Sequence, residues 1–172
     1  HLGKLDPFDG LGCCHDRKLP EEARFILVTT SVSIEESLPL LRGAFAFAAQ
    51  ERDVFLLCKF HYHLPLYEAV NALASEYGFT RFRIFESDLY DLMRLAPILL
   101  SAGSSTCIEA IVFESMPVVF RSPGEMSSNP MLDVPDAGFF WHTFEELRSA
   151  LGSCFQRDEA YSMRRAAWPK AI

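Results

Sequence analysis

The sequence predicts an α/β fold: a doubly wound, mostly parallel sheet of five or six strands with helices on both faces. Three observations point there. Short runs rich in Phe, Val, Ile and Leu recur along the chain. Stretches of helical period, opened by Ser, Thr or Asp, separate them. Strands alternating with helices of this length imply βαβ units, whose crossovers leave successive strands parallel.

The first 24 residues mix Gly, Pro and Asp without period and read as a leading segment or linker, with the domain over 25–172. FILVTTS (25–31) is an unbroken apolar run ending in hydroxyls, the pattern of a strand buried on both faces. Residues 38–51 place Leu38, Leu41, Phe45 and Ala48 at helical spacing, with Ser37 as cap and Pro39 in the first turn. VFLLCKF (54–60) is the second strand, and 64–77 a second helix that Gly78 stops. RFRIFE (81–86) alternates as a third strand, and Ser87 and Asp88 cap a short helix to Leu95. Residues 98–101, 105–114 and 118–121 follow as strand, helix and strand. A loop rich in Pro, Ser and Gly covers 122–136, before a short sixth strand at 139–141. Thr143 and Glu146 form a capping box for the next helix, and 158–168 is the last. No repeat interrupts the order, so one domain is expected.

At 49% hydrophobic and 23% charged residues, the chain can build a core and is not disordered. A net charge of −7 gives no general attraction for nucleic acid or an anionic membrane. No apolar run reaches the ~18 residues of a spanning helix. Five cysteines (Cys13, Cys14, Cys58, Cys107, Cys154) form neither a CxxC pair nor a zinc spacing. Three lie in apolar segments as small core residues, which suits a reducing cytoplasm. Neither a metal site nor a cofactor is expected. A start at His1, with no signal-like segment, reads as part of a longer protein.

The chemistry concentrates in LLSAGSSTCIEA (99–110), where an apolar strand stops at glycine and hydroxyls and a helix opens with a glutamate inside it. In open parallel sheets ligands sit beyond the carboxyl ends of the strands, where helix N-termini favour phosphate. Gly103 permits a tight turn, Ser104, Ser105 and Thr106 add donors without bulk, and Glu109 can reach past a phosphate to a ribose diol. A plain alternative exists: Ser105 or Thr106 caps the helix and Glu109 completes a capping box. The residues alone leave both readings open. Thr30 and Ser31, ending the first strand, are further candidates for the same cleft, and Glu125 is the candidate in the long loop.

Four segments carry a resemblance: Lys59-Phe60-His61-Tyr62, Asp88-Leu89-Tyr90-Asp91-Leu92-Met93, Ser104-Ser105-Thr106-Cys107-Ile108-Glu109-Ala110 and Met116-Pro117-Val118-Val119. Together they resemble the donor-binding C-terminal half of GT-B-fold glycosyltransferases, closest to bacterial capsule and surface-polysaccharide transferases and CDP-glycerol glycerophosphotransferase-like proteins. The family pattern is K-x-H-P, an acid and helix, then S-S-T-x-x-E-A leading into x-P-V-V. Tyr62 stands where that pattern has proline. The resemblance implies a Rossmann-like domain in which Ser104, Ser105 and Thr106 hold phosphate, Glu109 holds ribose, and Lys59 and His61 meet phosphate or base. It also implies a nucleotide-activated sugar or alcohol phosphate as partner, and an N-terminal acceptor domain supplying the catalytic base. The place of action would be the cytoplasm, at the inner membrane face through the rest of the protein.

Rival classes fare less well. Sugar-nucleotide 2-epimerases share the fold but tend to carry a second glycine and a second acid where Ser105-Thr106 and Ala110 stand. A receiver domain needs acids where Thr29-Thr30-Ser31 and Glu86-Ser87 lie. The P-loop and GxGxxG patterns are absent, against a P-loop nucleotidase and against NAD. A non-catalytic nucleotide-binding module stays open, because no paired carboxylates or Asp–His arrangement supply a catalytic base.

Overall fold

The computed structural model describes residues 19–86, 88–122 and 130–171. Strands Arg24–Thr29 (β1), Val54–Lys59 (β2), Phe82–Ile84 (β3), Ile98–Ser101 (β4), Met116–Phe120 (β5) and Phe139–Trp141 (β6) form one sheet. Its order is β3-β2-β1-β4-β5-β6, with every neighbouring pair parallel. A parallel sheet covered on both faces needs apolar residues at both parities. Accordingly all of β4 and β5 is buried, and so are Ile26, Leu27 and Val28 of β1.

Helices Ile34–Gln50 (α1), Tyr67–Tyr77 (α2), Leu89–Leu95 (α3) and Thr106–Val112 (α4) connect the first five strands, and Phe144–Gln156 (α5) and Glu159–Ala166 (α6) follow β6. Right-handed crossovers place α1 between α2 and α5 on one face of the sheet. On the other face α3 and α4 meet through the rings of Tyr90 and Phe113. This is the doubly wound α/β architecture that the sequence predicts. Among the described residues no helix is long and apolar enough to cross a membrane.

Several boundaries differ from the sequence reading, each for a local reason. Helix α1 starts under Ser33, whose Oγ accepts the Glu36 N–H at 3.3 Å, and not under Ser37. Ser33 through Glu36 is itself an S-x-x-E start. Ser37 is instead buried, with its hydroxyl between the N–H of Ser31 (3.1 Å) and the Ser31 carbonyl (3.3 Å). Pro39 therefore sits in the second turn, on the exposed side, at the cost of one helix hydrogen bond. Helix α2 waits until Tyr67 because Pro65 keeps its predecessor extended. Glu114, at φ 59°, turns the chain so sharply that β5 begins at Met116, two residues early. Asp88 caps α3 by accepting the Tyr90 N–H, while Ser87 and residues 1–18 of the leading segment lie outside the described residues. The Thr143–Glu146 capping box forms as expected, and Gly78 ends α2 at φ 59°.

Candidate functional site

Thr29 pairs in register with Lys59 on one side and Ser101 on the other. From β1 the chain winds to one edge of the sheet, and from β4 to the other. Their diverging loops open a crevice at the carboxyl edge, the switch point of the topology. Lys59 and Ser101 stand two strand spacings apart there, about 10 Å. Thr29 Oγ1, in the middle of this row, is buried and makes no hydrogen bond among the described residues.

On the β4 side, Gly103 turns the chain at φ 85°, a conformation that favours glycine. Ser105 precedes α4 with helical backbone angles (φ −53°, ψ −25°), whereas a side-chain cap needs an extended backbone. Its hydroxyl accordingly caps nothing. The helix start is held by backbone instead: the N–H groups of Cys107 and Glu109 donate to the carbonyls of Ser104 (3.0 Å) and Ser105 (3.2 Å). Glu109 lies one residue beyond the capping-box position. The plain capping reading of this loop therefore does not hold. Among the described residues, the hydroxyls of Ser104, Ser105 and Thr106 have no hydrogen-bond partner. Behind them, burial pushes the Cys107 thiol up, partly offset by hydrogen bonds from the Ser104 and Gly103 backbone and the Ser101 side chain.

On the β2 side, Lys59 Nζ donates to the Glu86 carbonyl at 3.4 Å, leaning toward β3. The His61 backbone N–H donates to Thr30 Oγ1 at 3.0 Å. Its ring Nδ1 accepts the His63 N–H at 3.3 Å, so the neutral ring carries its proton on Nε2. The ring of Tyr62, 80% exposed, tilts against both histidines. The Ser31 hydroxyl lies between the Ser33 carbonyl and the Glu36 carboxylate. Thr30 and Ser31 thus brace the crevice wall with hydroxyls already engaged. Glu125 lies outside the described residues. The later part of its loop folds into two tight turns, Pro130–Leu132 and Pro135–Ala137, with Met131 buried.

Sequence reading gave Tyr90 no role, yet the structure stacks its ring on Phe113, one turn along from Glu109. The Glu109 charge, then hydrogen bonding to Glu109, raises the phenol pKa above its ordinary value. The signal in the sequence is faint: Tyr90 and Arg94 are spaced i, i+4, like Glu109 and Phe113, but nothing local pairs the two helices. Among the described residues no group of three or more His, Cys, Asp or Glu is placed to hold a metal ion. A groove of about 460 Å³ opens elsewhere, between α1 and α5. Its Arg24 is paired with Glu51 and Asp53, and Arg148 lines it as well.

No protein-family model and no curated protein matches the chain. Solved structures do. The C-terminal CMP-Kdo binding domain of WaaA from Acinetobacter baumannii matches at TM-score 0.62 and 13% identity, over 88% of this chain and 90% of that one. The catalytic domain of cholesterol-α-glucosyltransferase from Helicobacter pylori matches at TM-score 0.61 and 19% identity, over 86% and 97%. The fold is that of a GT-B C-terminal half. UDP-GlcNAc 2-epimerase from Neisseria meningitidis, bound to UDP-GlcNAc, matches at TM-score 0.64 and 14% identity, over 87% of this chain and 40% of its own. The chain spans between 40% and 43% of the length of the epimerase chains it matches. Identities this low speak to the GT-B fold alone.

Proposed function

We propose that this GT-B half binds the nucleotide-activated donor, a sugar or an alcohol phosphate, of a transferase acting in bacterial surface-polysaccharide assembly on the cytoplasmic side. One observation carries the reading. Among the described residues, three consecutive hydroxyls have no hydrogen-bond partner at the mouth of α4, one turn from a carboxylate, at the switch point of a parallel sheet. Neighbours of the same fold are named for binding CMP-Kdo or UDP-GlcNAc, which supports a nucleotide as ligand.

In this reading the hydroxyls of Ser104, Ser105 and Thr106 donate to the donor phosphate, and Lys59 supplies the positive charge after leaving its long, exposed contact with Glu86. His61 offers its Nε2–H to phosphate or base. Glu109 accepts from the ribose hydroxyls. Glycosyl transfer breaks the bond between the sugar and the phosphate oxygen, so negative charge grows on the departing nucleotide, where these donors are already placed. Acceptor and catalytic base come from a companion domain. Ser105-Thr106 and Ala110 favour a transferase over a 2-epimerase, by the family pattern given above.

The test is a calorimetric titration of the chain with CMP, CDP, UMP and UDP, with ADP as comparison. Saturable binding of a pyrimidine nucleotide is expected, with no turnover by this chain alone. Absence of binding to all four would overturn the reading.

A further inference from the structure

Two i, i+4 pairs from different helices mesh on the face of the sheet opposite α1. On α3 they are Tyr90 and Arg94, and on α4 they are Glu109 and Phe113. The rings of Tyr90 and Phe113 stack with centroids 5.1 Å apart and planes at 27°. The Arg94 guanidinium lies over the same Phe113 ring at 4.9 Å and is held by Asp91 at 2.9 Å. Asp88 fixes the tyrosine from the other end, accepting its backbone N–H at 2.8 Å. A ring set against Phe113 lies along the helix face that carries Glu109 one turn earlier. Tyr90 nevertheless stays 42% exposed, so filling the core does not account for it.

We infer that Tyr90 is a positioning residue for ribose recognition: its phenol donates to the Glu109 carboxylate and turns the remaining lone pairs toward the crevice. The inference rests on the nucleotide-binding reading above and adds to it a residue that contacts no ligand. A carboxylate offers about four acceptor sites, so one phenol and two ribose hydroxyls can be served together. The raised phenol pKa agrees with this contact.

The experiment compares CDP with 2′-deoxy-CDP, and UDP with 2′-deoxy-UDP, by calorimetry on the 172-residue chain and on Tyr90→Phe, Glu109→Gln and the double variant. Tyr90→Phe keeps the ring and its stacking on Phe113. It should reduce the preference for the ribonucleotide by about three- to tenfold, as expected for one hydrogen bond. The melting temperature should hold, and the double variant should lose no more preference than Glu109→Gln alone. Two results would overturn the inference and leave nucleotide binding standing. One is an intact ribose preference in Tyr90→Phe alongside its loss in Glu109→Gln. The other is an equal loss for ribo and deoxy forms with a lowered melting temperature, the mark of a structural residue. If the wild type binds none of these nucleotides, the underlying reading fails and the inference with it. A readout without nucleotide comes from NMR titration of 13C-labelled tyrosine, in which Glu109→Gln should bring the Tyr90 phenol back toward its ordinary pKa. An unmoved titration would mean the contact is absent and would also overturn the inference.

Discussion

Thr30 Oγ1 accepts a hydrogen bond from the backbone N–H of His61 at 3.0 Å, across 31 residues of sequence. The Thr30 N–H donates in turn to the Lys59 carbonyl at 3.2 Å. The ladder between β1 and β2 thus continues past the strand ends, and a side chain takes over where backbone pairing stops. This rung holds the His61 loop beside the crevice.

Thr30→Val keeps the shape and removes the acceptor, leaving the His61 N–H without a partner. A loss of about 1–2 kcal/mol in stability is expected by urea unfolding, since an orphaned donor costs more than the bond is worth. Thr30→Ser should restore most of it. Equal stability for all three proteins would mean the rung is dispensable.

Glu109→Gln tests the proposed ribose contact. Charge-assisted hydrogen bonds are roughly twice as strong as neutral ones, so losing two should weaken nucleotide binding by ~1.5–3 kcal/mol, roughly ten- to a hundredfold. Because Glu109 makes no capping bond, the melting temperature should barely move. Calorimetry and thermal unfolding of the same preparation separate the two effects.

Gly138→Ala tests the packing beside β6. A Cβ there would meet the Pro117 carbonyl oxygen and Met131 Cε, each at 2.8 Å. Methionine can yield, but a strand carbonyl can move only by prying β5 from its neighbours. Overpacking of this kind costs about 1–3 kcal/mol, read as a lowered urea midpoint with an unchanged slope.

Glu146 makes part of the stability depend on pH. Its carboxylate accepts the N–H groups of His142 (2.6 Å) and Thr143 (3.1 Å), and these bonds hold its pKa below the ordinary 4.5. The unfolded chain therefore binds this proton more tightly than the folded one. The stabilisation is complete above about pH 4.5 and disappears as pH falls through the lower folded value. Glu146→Gln should lower the melting temperature at pH 7 and flatten its decline between about pH 5 and pH 3. An acid limb parallel to the wild type would show that the cap does not titrate.

The buried thiols should be inert. Burial pushes Cys58 and Cys154 up to about 12 and raises Cys107 as well. The thiolate is the reacting species, so iodoacetamide at pH 8 should leave all three unmodified in the folded protein and alkylate them in urea. Peptide mass spectrometry resolves each site. Rapid native modification of Cys107 would mean that the mouth of α4 opens to solvent.

Legibility in the sequence follows the range of the interaction. Thr143 and Glu146 are three residues apart, and their capping box was readable as a pattern. So was the turn at Gly103, because an apolar strand ending at glycine before a helix leaves few backbone routes. Ser37 misled for the same local reason: it stands where a cap could stand, and only the proximity of the Ser31 backbone shows its hydroxyl drawn inward. The serine loop is open to both cap and ligand-site readings in the sequence, and the backbone angles of Ser105 remove only the first.

By itself, the sequence determined the alternation of strands and helices, the burial of both strand faces, and the hydroxyl-and-glutamate element between β4 and α4. Each depends on residues within a turn or two of one another, where periodicity and caps act. Tertiary structure decided that β4 lies beside β1, which sets Lys59, Thr29 and Ser101 in one row. It also decided that Thr30 answers His61 and that Tyr90 stacks on Phe113. Those pairings come from strand order and crossover handedness, which arise when amphipathic faces from the whole chain are buried together and which no short window of residues contains.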